Sequence, residues 1–374
     1  AQARLKGAIR HLGPIGLVRF MAQAVQDYYA LRETFDQAGD FTTAPEISQM
    51  FGELLGLWAV DTWHRLGRPA PFLLVELGPG RGTLMADALR AARLDPAFSA
   101  ALTLHLVETS PRLRAIQAER LSAAEPTFHA AIETLPPGPM ILIANEFFDA
   151  LPIRQFERRS GGWHERLVML DAEDQFRLGL SPDPAPVAAL LGPLVRAAPV
   201  GGIAEISAAG RAVAGTIATR LVQEGGAALI LDYGPPVSAP GDSLQALRDQ
   251  RPHPPLIDPG TADLTAHVDF AALAGAAALA GSAIFGPLPQ GLFLERLGIA
   301  ARAARLAQSS PAAAAEVAAA LTRLTAADAM GTLFQSLCLT RPGLGPPAGL
   351  EACEPTQGAP AATTRSAGNG RPRP

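Results

Sequence analysis

The stretch Phe72-Leu73-Leu74-Val75-Glu76-Leu77-Gly78-Pro79-Gly80-Arg81-Gly82-Thr83-Leu84 decides the fold. Its apolar start makes a buried strand, its glycines make a turn, and a helix is predicted from Leu84 to Arg93. Glycines at such a turn let a nucleotide-like ligand approach the backbone closely. The spacing is Glu-x-Gly-x-Gly-x-Gly, from Glu76 to Gly82. A dinucleotide fingerprint places its last glycine one residue later, where this chain has Thr83. The spacing therefore points away from NAD and towards S-adenosylmethionine (SAM). SAM has no pyrophosphate to seat on a helix N-terminus. Gly78, Pro79, Gly80 and Gly82 would leave room for its methionine part, and Glu76 would face its cationic end. A purely structural strand-to-helix turn is the alternative for the glycines taken alone.

Outward from this stretch, strands at 72–78, 102–108, 126–131 and 138–145 alternate with helices at 83–93 and 111–124. Short buried strands in alternation with helices predict an α/β fold with a parallel, doubly wound sheet. Residues 71–152 form the first part of its core. Ahead of it, helices at 4–30, broken at Gly13-Pro14, and at 45–66 make a helical N-terminal cap over 1–70. Residues 153–200 break the rhythm with antiparallel strands, turning at Ser160-Gly161-Gly162 and at Asp171–Asp174. The core resumes over 201–234 with a helix at 207–224 and a strand at 227–232. A proline-rich insertion covers 235–268. Helices at 269–280, 291–308 and 311–325 follow, then a last strand at 331–340. The Gly/Pro/Ala/Thr-rich end, 341–374, reads as a disordered tail. There is no internal repeat.

The 374 residues are 48% apolar and 18% charged, enough for a large core. A net charge of −4 argues against a general nucleic-acid binder. Cys338 and Cys353 provide neither a disulfide framework nor a zinc spacing, so no metal is expected. No apolar run of transmembrane length escapes polar or proline breaks, so membrane insertion is not expected either. The start lacks both a secretory apolar region and an initiator Met.

Three further clusters carry chemistry. Glu108 ends the second strand, where an acid can accept both ribose hydroxyls; a solvated carboxylate or a cap for the helix opening at Ser110-Pro111 is the plain alternative. Asn145-Glu146-Phe147-Phe148-Asp149 follows the fourth strand, at the sheet edge where doubly wound folds bind ligands. Its acid pair would be costly there without solvent or a cation, and a bidentately held guanidinium is a cation that fits. Helix capping by Asn145 or Asp149 is the competing reading. Finally, Gly39–Gln49 gathers polar residues before an apolar helix. Thr43 and Glu46 have capping-box spacing, which is compatible with ligand contact by Thr42 or Gln49. Asp232 ends the fifth strand. Thr265 or Asp269 is placed to cap the helix at 269–280, and His267 reads more readily as a structural histidine than as a catalyst.

Together the stretches 39–56, 75–84, 106–111, 145–152, 231–234 and 261–270 resemble the MidA-like SAM-dependent methyltransferases. That family includes the mitochondrial complex I assembly factor that methylates protein arginine. QGLFLERLGI (290–299) and MGTLF (330–334) are also similar, so the resemblance runs from about residue 4 to 340. It implies a class I methyltransferase fold, Rossmann-like, with a helical cap and an inserted β/loop substrate region. It implies SAM held by Gly78, Gly80, Gly82 and Glu108, with Asn145 and Glu146 facing the transferred methyl. Glu146 and Asp149 are the catalytic candidates, and Thr42, Glu46, Gln49, Phe148, Asp232 and His267 the acceptor-binding ones. The implied acceptor is a protein arginine, such as one on a respiratory complex I subunit. A bacterial member would work in the cytoplasm and a eukaryotic one in the mitochondrial matrix. A non-catalytic SAM-binding assembly factor and a small-molecule methyltransferase remain the alternatives.

Overall fold

The computed structural model describes residues 1–31 and 43–351. Its centre is a seven-stranded sheet: β1 (Phe72–Leu77), β2 (Leu102–Val107), β3 (Thr127–His129), β4 (Met140–Asn145), β5 (Gly226–Tyr233), β6 (Ala283–Pro289) and β7 (Phe334–Thr340). Their spatial order is β3-β2-β1-β4-β5-β7-β6. β1 pairs in parallel with both β2 and β4, placing Leu77 between Val107 and Ala144. The chain reverses direction in space beside β1, which opens a crevice at the strands' C-terminal ends.

The sheet is mixed rather than wholly parallel, because β7 runs antiparallel to both β5 and β6. Sequence reading assigns no strand to 283–289. The reason is Gly286-Pro287, which interrupts the apolar pattern where the register shifts between Phe285 and Leu288. Gly286 has φ 94°, and a Cβ there would lie 2.6 Å from the Ser336 carbonyl oxygen. The backbone can bulge against β7 only with a glycine at that point.

Alternate residues of β1 serve two cores. Phe72 and Leu74 pack with Trp58, Trp63 and Phe98 on one face; Leu73, Val75 and Leu77 pack with Ile217 and Phe270 on the other. The first face is covered by the helices Gln49–Arg65 and Thr83–Ala92. Gly56 makes their close approach possible: a Cβ there would be 2.3 Å from the Ala88 carbonyl oxygen. The second face is covered by Ala208–Glu224 and Phe270–Leu279.

The predicted cap over 1–70 divides in two. Gln49–Arg65 belongs to the central core, whereas Gln2–Leu12 and Leu17–Leu31 pack Leu5, Leu17 and Phe20 against Ile153, Val168 and Leu264 of the two insertions. The first insertion contributes four strands, Arg154–Arg159, Gly162–Leu170, Phe176–Leu180 and Ile203–Ile206, to an antiparallel sheet whose fifth strand is Ile15–Gly16 from the N-terminal segment. It therefore extends to 206, not 200. The second insertion contributes a small sheet of Gln245–Arg248, Arg251–His253 and Asp263–Thr265.

The tail reading begins too early. Leu344 and Leu350 are buried in the central core, and a Cβ on Gly349 would lie 2.7 Å from the Phe293 ring. Cys353 and the remainder of the predicted tail lie outside the described residues. Among the described residues, no helix is long and apolar enough to cross a membrane.

Candidate cofactor and acceptor site

β1, β2 and β4 end around a cavity of about 470 Å³. The turn after β1 forms one wall. Gly78, Gly80 and Gly82 all have left-handed backbones, at φ 58°, 52° and 75°. The Gly78 N–H donates to the Val107 carbonyl at 3.0 Å, and the Gly82 N–H to the Pro79 carbonyl at 2.7 Å. The glycines differ in what they spare. A Cβ on Gly80 would meet nothing within 4 Å, whereas one on Gly78 would be 3.0 Å from the Phe147 ring. Gly80 thus leaves open space and Gly78 makes room for Phe147. Gln117 Nε2 donates to the Gly80 carbonyl at 2.7 Å and fixes the loop from behind.

Two strand-end acids face this turn. Glu76 is 3% exposed, and its Oε2 has no hydrogen-bond partner among the described residues. Burial pushes its pKa up to about 8. Glu108 is also buried, and burial raises its pKa despite its hydrogen bonds. Its Oε1 accepts the Ser110 N–H at 2.8 Å, while Gln117 Nε2 reaches Oε2 at a long 3.4 Å. Ser110 itself caps the following helix through Leu113.

The Asn145–Asp149 segment is a turn, not a helix start, so neither Asn145 nor Asp149 is a helix cap. Glu146 has φ 49°, an uncommon conformation for a side chain of its size. Its Oε1 accepts the Ala44 N–H at 3.0 Å and Asn145 Nδ2 at 3.2 Å, which leaves Oε2 without a hydrogen bond among the described residues. Burial pushes the Glu146 pKa up to about 8, with the charge of Asp149 adding to the effect. The Asn145 Oδ1 is buried and has no partner among the described residues. Asp149 is buried behind the turn, and burial lifts its pKa to about 6.

The predicted acceptor residues separate in space. Glu46 lines the cavity and accepts Thr83 Oγ1 at 2.6 Å. Thr43 lines it too but makes no side-chain cap, so the capping box is absent; Ser48 caps the next helix instead. Thr42 lies outside the described residues. Gln49 is exposed and does not line the cavity. Phe148 and His267 line a second cavity of about 650 Å³, beside the ends of β5, β6 and β7. His267 stacks edge-on with Tyr233, at 5.5 Å between ring centres.

Asp232 lines neither cavity. It is fully buried beneath the turn, where its Oδ2 accepts the N–H groups of Phe147, Phe148 and Asp149 at 3.2, 2.9 and 3.3 Å. The expectation that it binds acceptor is corrected accordingly, because its oxygens are engaged by the backbone. Burial, then the charges of Asp149 and Glu146, raise its pKa, and the N–H donors work against that shift. Asp269 caps Phe270–Leu279 by accepting the Ala272 N–H at 2.9 Å, and Thr265 accepts the Tyr233 hydroxyl at 2.6 Å.

Sequence reading missed several lining residues: Val25, Tyr28 and Tyr29 from Leu17–Leu31, Arg81 within the glycine turn, and Asp263 from the second insertion. Arg81 and Asp263 lie inside stretches singled out by sequence. For the tyrosines no local signal exists.

Comparison with known proteins decides the family. Residues 54–288 match the family described as "Putative S-adenosyl-L-methionine-dependent methyltransferase". The chain is 36% identical over 372 residues to the Drosophila melanogaster protein named "Protein arginine methyltransferase NDUFAF7 homolog, mitochondrial", covering 90% of this chain and 84% of that one. It is 35% identical to the Homo sapiens protein arginine methyltransferase NDUFAF7, covering 79% and 72%.

This chain belongs to the MidA-like SAM-dependent methyltransferases.

A crystal structure from Burkholderia thailandensis with S-adenosylhomocysteine bound superposes on the methyltransferase with a TM-score of 0.82, at 28% identity and 95% coverage of both chains. The cavity suits such a cofactor on its own chemistry. Its acid-rich lining matches a sulfonium and an ammonium, Gly80 leaves open space, and Glu76 and Asn145 each keep a buried oxygen without a partner.

Proposed function

We propose that this methyltransferase acts on the arginine side chain of a protein, in the reading that Glu146 carries. Glu146 follows the end of β4 beside the cofactor cavity, and its Oε2 makes no hydrogen bond among the described residues, the arrangement a guanidinium needs. The names of the relatives support the same acceptor class. A respiratory complex I subunit is the acceptor their family suggests, in a bacterial cytoplasm or a mitochondrial matrix.

In this reading Glu76 holds the cofactor's ammonium, Glu108 its ribose hydroxyls, and the Gly78–Gly82 turn its backbone-facing edge. Asn145 Oδ1 would face the sulfonium end. When bound, SAM supplies an electrophilic methyl group. The protein's own part is positioning. A guanidinium is a poor nucleophile because it stays protonated. Glu146 Oε2 draws the positive charge towards the nitrogens it holds, leaving another nitrogen richer in electrons, and it receives a proton after transfer. Asp149, buried behind the turn, adds negative potential that favours the cationic acceptor. Tyr28 and Tyr29 supply aromatic surface at the wall and help to exclude water.

The test is incubation of the protein with methyl-labelled SAM and purified complex I subunits, followed by mass spectrometry of the labelled peptide. Label on arginine supports the reading. Label on a small molecule in a metabolite extract, with none on protein, replaces it. Cofactor binding and complex assembly without any transfer would establish the non-catalytic alternative.

A further inference from the structure

Among the described residues lining the cofactor cavity, Arg81 is the one cationic side chain. Glu46, Glu76, Glu108, Glu133, Glu146 and Asp263 line the same cavity, so Arg81 stands alone in an acidic field. Among the described residues no ion pair joins it to any of them. Its Nε is buried and has no hydrogen-bond partner among the described residues. A guanidinium N–H taken out of water and left unpaired is costly, and in ordinary packing it would turn to a neighbouring carboxylate. Its place in the chain explains why it does not. Arg81 lies between Gly80 and Gly82, in a turn pinned by the Gly82–Pro79 hydrogen bond and by Gln117 on the Gly80 carbonyl.

The acids around it account for the positive groups of the cofactor and leave one group unanswered. SAM carries a sulfonium, an ammonium and a single anion, the α-carboxylate of its methionine part. An acidic cavity repels that carboxylate unless a cation meets it. Glu76, with its unpartnered Oε2 near the end of β1, and Arg81, in the turn that follows, line the same cavity five residues apart in the chain. An acid and a base so placed complement a zwitterionic amino acid, ammonium to the one and carboxylate to the other.

We propose that Arg81 binds the α-carboxylate of the cofactor's methionine part and thereby selects ligands that carry an intact amino-acid end. The guanidinium fork donates to a carboxylate through two parallel N–H groups, which fixes its orientation as well as its charge. The assignment concerns the cofactor alone and stands whatever the acceptor is.

Calorimetry with two probes tests it. S-adenosylhomocysteine carries the amino-acid end, and 5′-methylthioadenosine has the same adenosine and thioether without it. Arg81→Met keeps the length of the side chain and removes its charge. We expect S-adenosylhomocysteine to bind roughly ten- to a hundredfold more weakly to Arg81→Met, the loss typical of a hydrogen bond to a charged group. Methylthioadenosine should stay within about twofold, and Arg81→Lys should fall between the parent and Arg81→Met for S-adenosylhomocysteine. Equal losses for both probes would show that Arg81 only shapes the loop, and unchanged binding of both would remove it from the site; either result overturns the proposal. The parent protein gives a control that needs no variant. It should prefer S-adenosylhomocysteine over its carboxamide by a similar factor, and equal affinity for the two overturns the proposal as well.

Discussion

The Asp232 carboxylate accepts the backbone N–H of Phe148 at 2.9 Å, joining the end of β5 to the turn after β4. The same oxygen accepts Phe147 and Asp149, so one buried acid organises the backbone of the whole turn. The position of Glu146 over the cofactor cavity depends on this anchor, since Glu146 is the residue that immediately precedes the three anchored N–H groups.

Asp232→Ala should therefore destabilise the protein while removing no group that faces the cavity. Three N–H groups lose their acceptor, and each buried unsatisfied group costs about 1–3 kcal/mol. The expected fall in unfolding free energy is about 3 kcal/mol or more, measured by urea denaturation. A loss under about 1 kcal/mol would show that water or a backbone shift replaces the anchor.

Glu146→Gln should slow methyl transfer far more than it weakens S-adenosylhomocysteine, which should stay within a few-fold by calorimetry. The pH profile adds a sharper reading. With its pKa pushed up to about 8, Glu146 holds its proton below that pH and cannot attract a guanidinium. On a verified acceptor, kcat/KM should rise with pH through about 8 in the parent, and this limb should vanish in the Gln variant. A parent profile that falls over the same range contradicts the assignment.

Glu108→Ala should weaken S-adenosylhomocysteine by roughly ten- to a hundredfold, the effect of losing a charge-assisted hydrogen bond. The melt should remain cooperative, although Ser110 loses one acceptor. NADH binding more tightly than S-adenosylhomocysteine to the parent protein would count against the role given to this acid.

Glu76 links stability to pH. Its folded pKa of about 8 lies above the ordinary carboxylate value of about 4.3, so between these pH values the native state holds a proton that the unfolded chain releases. Stability is greatest below the unfolded pKa and falls as pH rises towards 8. Glu146 acts in the same direction. Without ligand, the melting temperature should fall between pH 5 and pH 8, and Glu76→Gln should flatten that slope. A parent melting temperature that rises over this range would show that Glu76 stays ionised.

The sequence by itself determined what lies along one continuous piece of chain. The strand, turn and helix from Phe72 to Arg93 and the acid at the tip of the next strand are local patterns. Their backbone needs, a positive φ at Gly78, Gly80 and Gly82 above all, are written in residue type. The resemblance then carried the family and the cofactor. The caps were less legible: Asp269 does cap its helix, but Thr43 does not, because the short helix it opens stops at Ile47 and Ser48 starts another. β6 was hidden because its pairing with β7 requires a bulge at Gly286, which looks like a break when read alone.

Only the tertiary structure decided which polar residues share a space. Asp232, His267 and Glu146 all follow or flank strand ends and look equivalent in sequence. Packing sends Asp232 under a turn, His267 to a second cavity and Glu146 to the first. Tyr28, Tyr29 and Asp263 reach the cofactor cavity because the helix Leu17–Leu31 and the strand Asp263–Thr265 pack together over it through the core that holds Leu17, Phe20 and Leu264. The physical reason is one of range. Backbone conformation is set by neighbours a few residues away, whereas the charge state and role of a side chain are set by what burial places around it, and that comes from chain hundreds of residues distant.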